Sequence, residues 1–555
     1  MTVAPATAPA GQRPGWRFGA RDLAALALFA ALAAAHTWPL ASAPASLSRH
    51  DNGDALLNEW TVAWVVHQLP RDPAHLFDAN IFYPEANTLA FSEHLFTQSV
   101  MAAPLVALGL TTTAVHNVLL LIGLALTGWT TYLVVAYWTG DRPAGVLAGC
   151  LFAFNALTLT RLAHLQAMHL EFLPLAVLAL WVLLDRPSVA AAFWLALAFA
   201  AQGLASNYLL VFTAVGLTAA AFVHPAVWHA GRWRRVAGPI ALSAGVATAM
   251  VLPFLWPYYQ AHADQGLARG LVEIRQYSAS WRDYLATGGR LHYAFWSRAL
   301  WEAGPTALFP GVTAMALAGV ALAGGTAWRD VRARMWLAAG VAGVVLSFGP
   351  VVPGYVLLGR VFPLLQGIRA PVRFGLLGLA AVAVLAGFGL ARLRAAWPRR
   401  GAVLAAASIL LVTVEAWRAP IAYVPALRVP AAYAVLAGYP DAVVAEFPLP
   451  GPEGVFHNAP YMLYSTAHWK PMINGYSGFM PASYERHWEA VRRFPQPEAI
   501  AALARIGVTH VVVHDDEDLI VHADLSPALS RLAAEGTTVI YRLDARTALA
   551  GGGRP

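Results

Sequence analysis

The sequence predicts an α-class fold, a polytopic bundle of transmembrane helices, with a small α/β domain at its C-terminal end. Of the 555 residues, 58% are hydrophobic and only 12% are charged, whereas soluble domains usually carry about 25% charged residues. The mean hydropathy is +0.54. The apolar residues also form long runs, close to the roughly 20 residues that cross a bilayer. Together these features exclude an ordinary soluble enzyme.

Eleven apolar runs are long enough to be predicted crossings. They lie at about 21–42, 115–138, 144–160, 169–185, 188–204, 208–227, 237–258, 305–326, 335–351, 372–392 and 402–418. The shorter piece 98–110 contains Pro104, so we expect an interfacial or re-entrant helix there. Ala41-Ser42-Ala43 resembles a signal-peptidase site, which leaves cleavage as an alternative. The single cysteine, Cys150, excludes an internal disulfide and a multi-cysteine zinc site.

The distribution of arginine predicts the orientation. The formal charge is +7, and Lys470 is the single lysine. With the N-terminus in the cytoplasm, the basic loops near residues 142, 186, 232–235, 329–334 and 392–400 all lie inside, as the positive-inside rule expects. If 98–110 crossed the bilayer, every later basic loop would lie outside. We therefore predict that 98–110 does not cross and that the C-terminus is outside.

This topology divides the chain into four predicted parts. They are a cytoplasmic tail (1–20), a transmembrane domain (21–418) whose first outer loop (43–114) carries two interfacial helices, an extracytoplasmic α/β domain (419–545) and a flexible tail (546–555). Alternating apolar residues predict strands in the α/β domain. The predicted strands are Ala442–Phe447, Thr509–His514 and Thr537–Leu543, and the predicted helices are 497–506 and 526–535.

The first outer loop begins with two aspartates, Asp51 and Asp54, on either side of an Asn-Gly turn signal. The helical run Ala55–Leu69 follows, and we expect it to lie in the membrane interface with Trp60 and Trp64 at headgroup depth. Asp54 is either the N-cap of this helix or a carboxylate that faces a cavity at the outer boundary. The two aspartates can also share a divalent cation, Mg or Mn, through their oxygens.

A second polar stretch, Glu93-His94, stands just before the piece 98–110. A carboxylate at the start of a helix suits the helix dipole. Capping is therefore one interpretation of Glu93. The alternative is that Glu93 and His94 form a second polar wall of the same cavity and bind substrate.

Two further outer segments carry arginine against the local charge bias. The turn 155–171 contains Arg161, His164 and Gln166, and a later segment contains Arg369 and Arg373. Arginine offers a rigid fork of donors that suits phosphate. Arg161, His164, Arg369 and Arg373 are therefore predicted to bind an anionic group, and Gln166 is predicted to bind substrate. Snorkelling of Arg161 to headgroup level and a structural role for His164 are the alternatives. No His/Glu spacing here matches a common zinc motif.

The C-terminal domain contains a stretch rich in aromatic and amide side chains, Tyr464–Phe479. Flat apolar rings beside hydrogen-bonding groups suit sugars. Trp469, Lys470, Asn474 and Tyr476 are therefore predicted to bind substrate. The alternative is a loop that packs over the membrane domain.

With these residues in place, the chain resembles the GT-C superfamily of integral-membrane glycosyltransferases, most closely its uncharacterised bacterial multi-pass members. The similarity lies in the acidic motif after the first span, the two interfacial helices of the first outer loop and a second true span near 115. It implies a polyprenyl-phosphate sugar as donor and membrane lipid as partner, with no nucleic acid. It also implies location in the bacterial cytoplasmic membrane. The essential first-loop carboxylate of the family matches Asp54, with Asp51 second.

The resemblance implies a mechanism, and a rival function remains open. Outer arginines neutralise the departing phosphate, and Asp54 accepts or orients the acceptor proton as a base, which inverts the anomeric centre. Partial desolvation is expected to raise the pKa of Asp54. The rival is a transporter or flippase of a lipid-linked or small polar solute. Its expected signs are inverted repeats and mid-membrane charges, and the sequence shows no duplicated pattern.

Overall fold

The computed structural model describes residues 18–266, 270–304 and 306–551, and this part of the chain is mostly helical. Almost all of the predicted cytoplasmic tail lies outside the described residues. The main helices are α1 (Ala20–His36), α2 (Gly53–Gln68), α3 (Phe96–Ala107), α4 (Thr112–Thr139), α5 (Arg142–Ala153), α6 (Phe172–Asp185), α7 (Val189–Ala205), α8 (Asn207–Phe222), α9 (Ala230–Gln265), α10 (Val312–Ala323), α11 (Val331–Ser347), α12 (Gly375–Ala396) and α13 (Gly401–Ala416). Short helices between them include Ala156–Leu159, Leu271–Gln276 and Tyr355–Val361.

Each predicted crossing overlaps one of these helices, namely α1 and α4 to α13. Within the described residues, three helices are both long and apolar enough to span a membrane by length and composition. They are Thr112–Thr139, Ala230–Gln265 and Pro371–Ala396. The bundle closes around α12, which is buried along most of its length and packs against α5, α10 and α11. Small residues such as Gly340 and Gly343 on α11 face α12, and they let the two backbones approach closely.

The first outer loop forms two helices, α2 and α3, and the tryptophans of α2 are buried in protein instead of facing headgroups as expected. Trp60 is 1% exposed and Trp64 is 5% exposed. The Trp64 indole donates a hydrogen bond to the Leu76 carbonyl at 2.9 Å, and its ring packs against Trp469. The reason is that the C-terminal domain covers α2, so these tryptophans belong to a protein core rather than to a lipid interface.

β1 (Leu47–Ser48) and β2 (Val424–Pro425) form a small two-stranded sheet. The C-terminal domain contains four further strands, β3 (Val444–Phe447), β4 (His510–Val513), β5 (Leu529–Glu535) and β6 (Thr538–Leu543). They form one sheet in the order β3-β4-β6-β5. β3 and β4 are parallel, and the other two pairs are antiparallel. Helices lie at Ala459–Tyr464, Ala482–Val491, Pro497–Ile506, Glu517–Asp524 and Ala545–Gly551.

Three predicted strands and the helix 497–506 are found, but the predicted helix at 526–535 is wrong. Its residues form β5, because a tight turn at Gly536 (φ +57) folds the segment back onto β6. The pairing contains an irregularity between Arg531 and Ala533, which masks the two-residue alternation of a strand. The predicted flexible tail (546–555) is helical over residues 546–551, which belong to the helix Ala545–Gly551, and Ala548 there is 3% exposed.

The C-terminal domain and the first outer loop share one hydrophobic core. Buried side chains of both, including Trp60, Phe82, Val444 and Ile473, pack in a single cluster. The backbones are also joined, since the Phe82 amide donates to the Asn474 carbonyl and the Tyr83 amide donates to the Met472 carbonyl. This docking fixes the position of the stretch 474–478 against the first outer loop.

Replacing Gly475 with alanine is expected to destabilise the docked domain. A Cβ at this position would lie 2.8 Å from ring atoms of Phe82, and overpacking a closed contact costs about 1–3 kcal/mol. We expect a lower midpoint of thermal unfolding for the detergent-purified protein. Gly438→Ala is the control, because its Cβ would meet an atom at 3.4 Å, an ordinary contact distance. Equal midpoints for the two variants would contradict the close packing.

Candidate active site at the start of the first outer loop

Asp54 lies in the first turn of α2, but it is not the N-cap. Asn52 is the N-cap, and its side chain accepts a hydrogen bond from the Asp54 amide at 2.9 Å. The Asp54 carboxylate is thereby left for other partners. Its Oδ1 accepts a hydrogen bond from the Tyr476 hydroxyl at 2.7 Å, and its Oδ2 lies 3.2 Å from His164 Nε2. Residues from three distant parts of the chain therefore meet at one carboxylate.

Tyr476 is held in place by the buried hydrogen bonds of the preceding residues. Asn474 accepts from the Glu446 amide at 2.8 Å and donates to the Glu446 carbonyl and to the Asn458 side chain. The Tyr476 ring then lies against Gly53, where a Cβ would be only 3.2 Å from Cε1 of the ring. A glycine at position 53 thus lets the tyrosine reach the carboxylate.

Arg161 and His164 lie in the turn that follows the short helix Ala156–Leu159. The Asn155 side chain caps this helix, and the chain then turns through the Arg161 and His164 region. The Asn58 side chain of α2 donates to the Ala163 carbonyl at 3.1 Å, which ties the turn to the helix that carries Asp54.

A cavity with about 460 Å³ of empty volume lies beside His164. Its polar lining includes predicted and unpredicted residues. The polar side chains that line it are Glu93, Thr158, Arg161, His164, Gln166, Ser206, Tyr208 and Arg373. The Arg373 guanidinium lies 4.8 Å from the centroid of the Tyr208 ring, a distance at which a cation is attracted to an aromatic face. Arg161 and Arg373, which come from distant segments of the chain, thus line the same cavity.

Several buried polar atoms around this cavity lack a hydrogen-bond partner within the described residues. They are Glu93 Oε2, Arg161 Nε, His164 Nδ1, Gln166 Oε1 and Arg373 Nε. Buried polar atoms normally pair, and each exception needs an explanation. A polar ligand with both anionic and hydroxyl groups would satisfy this set.

Glu93 lines the cavity, and it also organises the start of α8. Its Oε1 accepts hydrogen bonds from the Ser206 hydroxyl at 2.5 Å and from the Tyr208 amide at 3.3 Å. Capping by Glu93 therefore occurs, but at α8 and not at α3. This arrangement brings Tyr208 to the cavity, where the sequence analysis did not expect a residue. Its only sequence signal is the polar Ser-Asn-Tyr stretch between two apolar runs.

Arg369 lies outside the cavity lining and has partners of its own. Its Nε is 2.8 Å from Glu273 Oε1, its Nη2 donates to the Tyr277 hydroxyl at 3.0 Å, and its guanidinium stacks over the Tyr277 ring. Its backbone amide donates to the Tyr208 hydroxyl at 3.1 Å. Arg369 therefore orients Tyr208 through the backbone, while its charge is paired with Glu273.

Four other predicted substrate-binding residues do not line the cavity. His94 is 2% exposed and packs among Phe77, Phe254 and Tyr258, so its role is packing. Trp469 stacks on His67 at the far end of α2. The remaining two are Lys470, whose carbonyl binds the Asn80 side chain, and Asn474, which is fully buried.

The two aspartates do not fit a shared divalent cation. Both Asp51 oxygens bind Arg49, at 3.0 and 3.1 Å, and the two Asp54 oxygens bind Tyr476 and His164. A cation between them would compete with an arginine. Among residues 18–266, 270–304 and 306–551, no group of three His, Cys, Asp or Glu side chains has metal-binding geometry.

The pKa of Asp54 is lowered, and the expected rise is wrong. Burial raises the pKa, but the hydrogen bond and charge of His164, the Tyr476 hydroxyl and the Arg373 charge outweigh burial and bring it to about 2. Ionised Asp54 therefore stabilises the folded chain above its ordinary pKa of 3.8, and this stabilisation is lost as the pH falls towards 2. Near neutral pH the group is a carboxylate.

The cationic groups of the cavity repel one another. Burial lowers the pKa of His164, and Arg373 and Arg161 lower it further, against the attraction of Asp54. The imidazole is thus neutral near pH 7 and donates a hydrogen bond to Asp54. Burial and the Arg373 charge also lower the pKa of Arg161, to about 9. An anion placed between these arginines would relieve their repulsion.

The fold of the described residues is similar to the folds of two solved glycosyltransferases. The chain is similar to the arabinofuranosyltransferase AftD from Mycobacteria, with a TM-score of 0.59 and 15% identity over 94% of this chain and 40% of AftD. It is also similar to the oligosaccharyltransferase of Archaeoglobus fulgidus, with a TM-score of 0.51 and 13% identity over 88% of this chain and 68% of that one. At these identities the likeness concerns the fold. No family model and no curated protein matches the sequence.

Proposed function

We propose that the protein is a membrane glycosyltransferase that moves a sugar from a polyprenyl-phosphate donor to an acceptor hydroxyl at the outer face of the bacterial cytoplasmic membrane. One observation carries the proposal. The Asp54 carboxylate contacts His164, and His164 lines a cavity together with Arg161 and Arg373. A glycosyl transfer from a lipid phosphate needs both groups in one place. It needs cations where the phosphate leaves and a carboxylate where the hydroxyl attacks.

The two arginines suit the donor phosphate. Both have a buried Nε without a partner among the described residues, and the guanidinium fork matches phosphate oxygens. As the bond between the anomeric carbon and the phosphate oxygen breaks, negative charge grows on the phosphate, and the arginines stabilise it. Glu93 and Gln166 supply acceptors for the hydroxyls of the sugar.

Asp54 then serves the acceptor side. Attack of the acceptor oxygen on the face opposite the phosphate forms the new bond and inverts the anomeric centre, and the acceptor proton passes to the Asp54 carboxylate. Because the pKa of Asp54 is about 2, its basicity is low. The transfer is therefore late, once the attacking oxygen has gained positive charge, and until then Asp54 orients the hydroxyl.

The proposed topology puts this site at the outer boundary. Eleven crossings, with the N-terminus in the cytoplasm, place the turn at 155–171 and the beginning of α12 outside. The C-terminal domain is then extracytoplasmic, where it covers α2 and supplies Tyr476. A transporter would need a path through the whole bilayer, whereas this cavity adjoins the ends of helices that all lie on one side in this topology.

The test is incubation of the purified protein with a panel of polyprenyl-phosphate sugars, both pentofuranosyl and hexopyranosyl, with release of the polyprenyl phosphate as readout. Turnover of one donor, dependent on an added hydroxyl acceptor, supports the proposal. Uptake of a lipid-linked solute across a liposome bilayer without release of the carrier would favour the transporter instead.

Replacing Tyr476 with phenylalanine is expected to move the acid limb of the kcat/KM profile to higher pH. The change removes the hydroxyl that helps to lower the pKa of Asp54. Since the carboxylate form is the active one, activity disappears as the pH falls through this pKa, and a higher pKa brings the loss earlier. A lost hydrogen bond to a charged group also predicts about a tenfold lower kcat/KM.

The control for this measurement is Tyr461→Phe, because the Tyr461 hydroxyl donates to the Pro448 carbonyl at 3.3 Å and makes no contact with Asp54. Identical acid limbs for Tyr476→Phe and the wild type would remove the hydroxyl from the proposed role.

A further inference from the structure

A second polar cavity lies across the short helix Ala156–Leu159 from the first. Ala156 lines the second cavity, and Leu157 and Thr158 line the first. The second cavity has about 430 Å³ of empty volume. It adjoins the end of α5, the beginning of α10 and the end of α13, and its charged or titratable lining residues are Cys150, His292, Glu415 and Arg418. None of these takes part in the proposed transfer.

The Glu415 carboxylate already has its partners. The Thr313 hydroxyl donates to Oε1 at 2.6 Å, the Thr313 amide donates at 3.1 Å, and His292 Nε2 lies 3.5 Å from Oε2. Glu415 and His292 have side chains that are 10% and 8% exposed. The Glu415 carboxylate is therefore satisfied within the protein, whereas His292 Nε2 has no hydrogen-bond partner among the described residues.

Arg418 is the group that the protein does not neutralise. Its Nη1 donates to the Leu159 carbonyl at 2.5 Å, and its guanidinium lies 5.6 Å from the centroid of the Trp301 ring. Within the described part of the chain, no ion pair joins it to a carboxylate, and the nearby charge of Arg49 repels it. A partly buried guanidinium remains charged, so the cavity favours an anion.

The surroundings of the cavity suit an amphiphile rather than a free anion. Its deeper lining on α5 and α13 is apolar, with Leu151 and Val412 among the residues. The helices that adjoin it also carry exposed apolar side chains, such as Val312 on α10 and Leu411 and Val414 on α13. A headgroup in the cavity would leave its hydrocarbon chain beside these residues.

We infer that the cavity around Arg418 binds the phosphate group of a lipid, at a site separate from that of Arg161 and Arg373. The phosphate accepts hydrogen bonds from the guanidinium, and the hydrocarbon chain lies along α10 and α13. The inference does not depend on the proposed function, because none of its residues contacts Asp54. It predicts that one chain holds a phosphate-bearing lipid here whatever chemistry occurs at the first cavity.

The test counts bound radiolabelled farnesyl phosphate on the full-length protein in neutral detergent. Arg418→Gln is expected to bind one lipid fewer than the wild type. Ala416→Phe fills the cavity from α13 without removing the cation and is expected to lose the same lipid. If Arg418→Gln does not fold, the lipid count of Ala416→Phe tests the inference alone. The matched control is Arg282→Gln, an exposed arginine beside Trp281 that does not line the cavity.

Unchanged binding by both cavity variants would overturn the inference. So would an equal loss in Arg282→Gln, which would show general attraction to surface charge. Competition separates the two sources of phosphate. Displacement by phosphatidylglycerol, and not by millimolar inorganic phosphate, supports a lipid ligand. Displacement by inorganic phosphate alone assigns the cavity to a free anion and overturns the lipid assignment. Substitutions of Arg161 and Arg373 affect lipid binding at the first cavity only. Failure of the proposed function can therefore be distinguished from failure of this inference.

Discussion

Replacement of Asp54 by asparagine is expected to lower the rate of sugar transfer about 10³-fold, within the range for loss of a positioned base. Asparagine keeps the size of the side chain and one oxygen that can accept from Tyr476. It removes the negative charge that takes up the acceptor proton. The measurement is release of polyprenyl phosphate under saturating donor. The thermal unfolding midpoint should stay close to that of the wild type.

Asp51→Asn is the matched control for this experiment, since Asp51 lies three residues away and binds Arg49 rather than the cavity. We expect its transfer rate to fall less than threefold. Full transfer by Asp54→Asn would remove Asp54 from the mechanism, whereas equal losses in both variants would point to a general effect on the loop.

Replacement of Arg373 by glutamine is expected to lower kcat/KM for the donor about 10²- to 10³-fold, as for loss of one stabilising group in the transition state. The Arg373 guanidinium stacks on Tyr208 and lines the cavity, so its charge lies where the leaving phosphate is proposed to be. Arg373 also helps to lower the pKa of Asp54. The acid limb of the pH profile should therefore move to higher pH in the same variant.

Arg369 offers the comparison, because it is four residues away and its charge is paired with Glu273. Arg369→Gln keeps the backbone amide that binds Tyr208, and we expect less than a tenfold loss in kcat/KM. A larger loss in Arg369→Gln than in Arg373→Gln would reverse the assignment of the two arginines.

The sequence was informative wherever the pattern is local. Apolar runs predicted the positions of the helices, because a run of this length has few other stable environments. Arg161, His164 and Arg373 stand near the ends of apolar runs, and Asp54 was selected by the acidic motif after the first run. In the structure the three cationic side chains line one cavity, and Asp54 contacts it through His164.

The features that the sequence did not predict depend on how the C-terminal domain docks. This domain packs over α2 and buries Trp60 and Trp64, and the residue pattern of α2 alone cannot show that packing. The same docking gives Tyr476 its contact with Asp54 and leaves Trp469 and Lys470 elsewhere. His94 and Arg369 lie outside the cavity lining for a similar reason, because each has partners on segments far away in sequence.

The hydrogen bond between Tyr476 and Asp54 joins residues that are 422 positions apart. When a ribosome has made the first outer loop, the residues that lead up to Tyr476 are still to be translated. The carboxylate is therefore made early, and its tyrosine partner is made 422 residues later. A nascent chain that has not yet reached residue 476 holds an unfinished site.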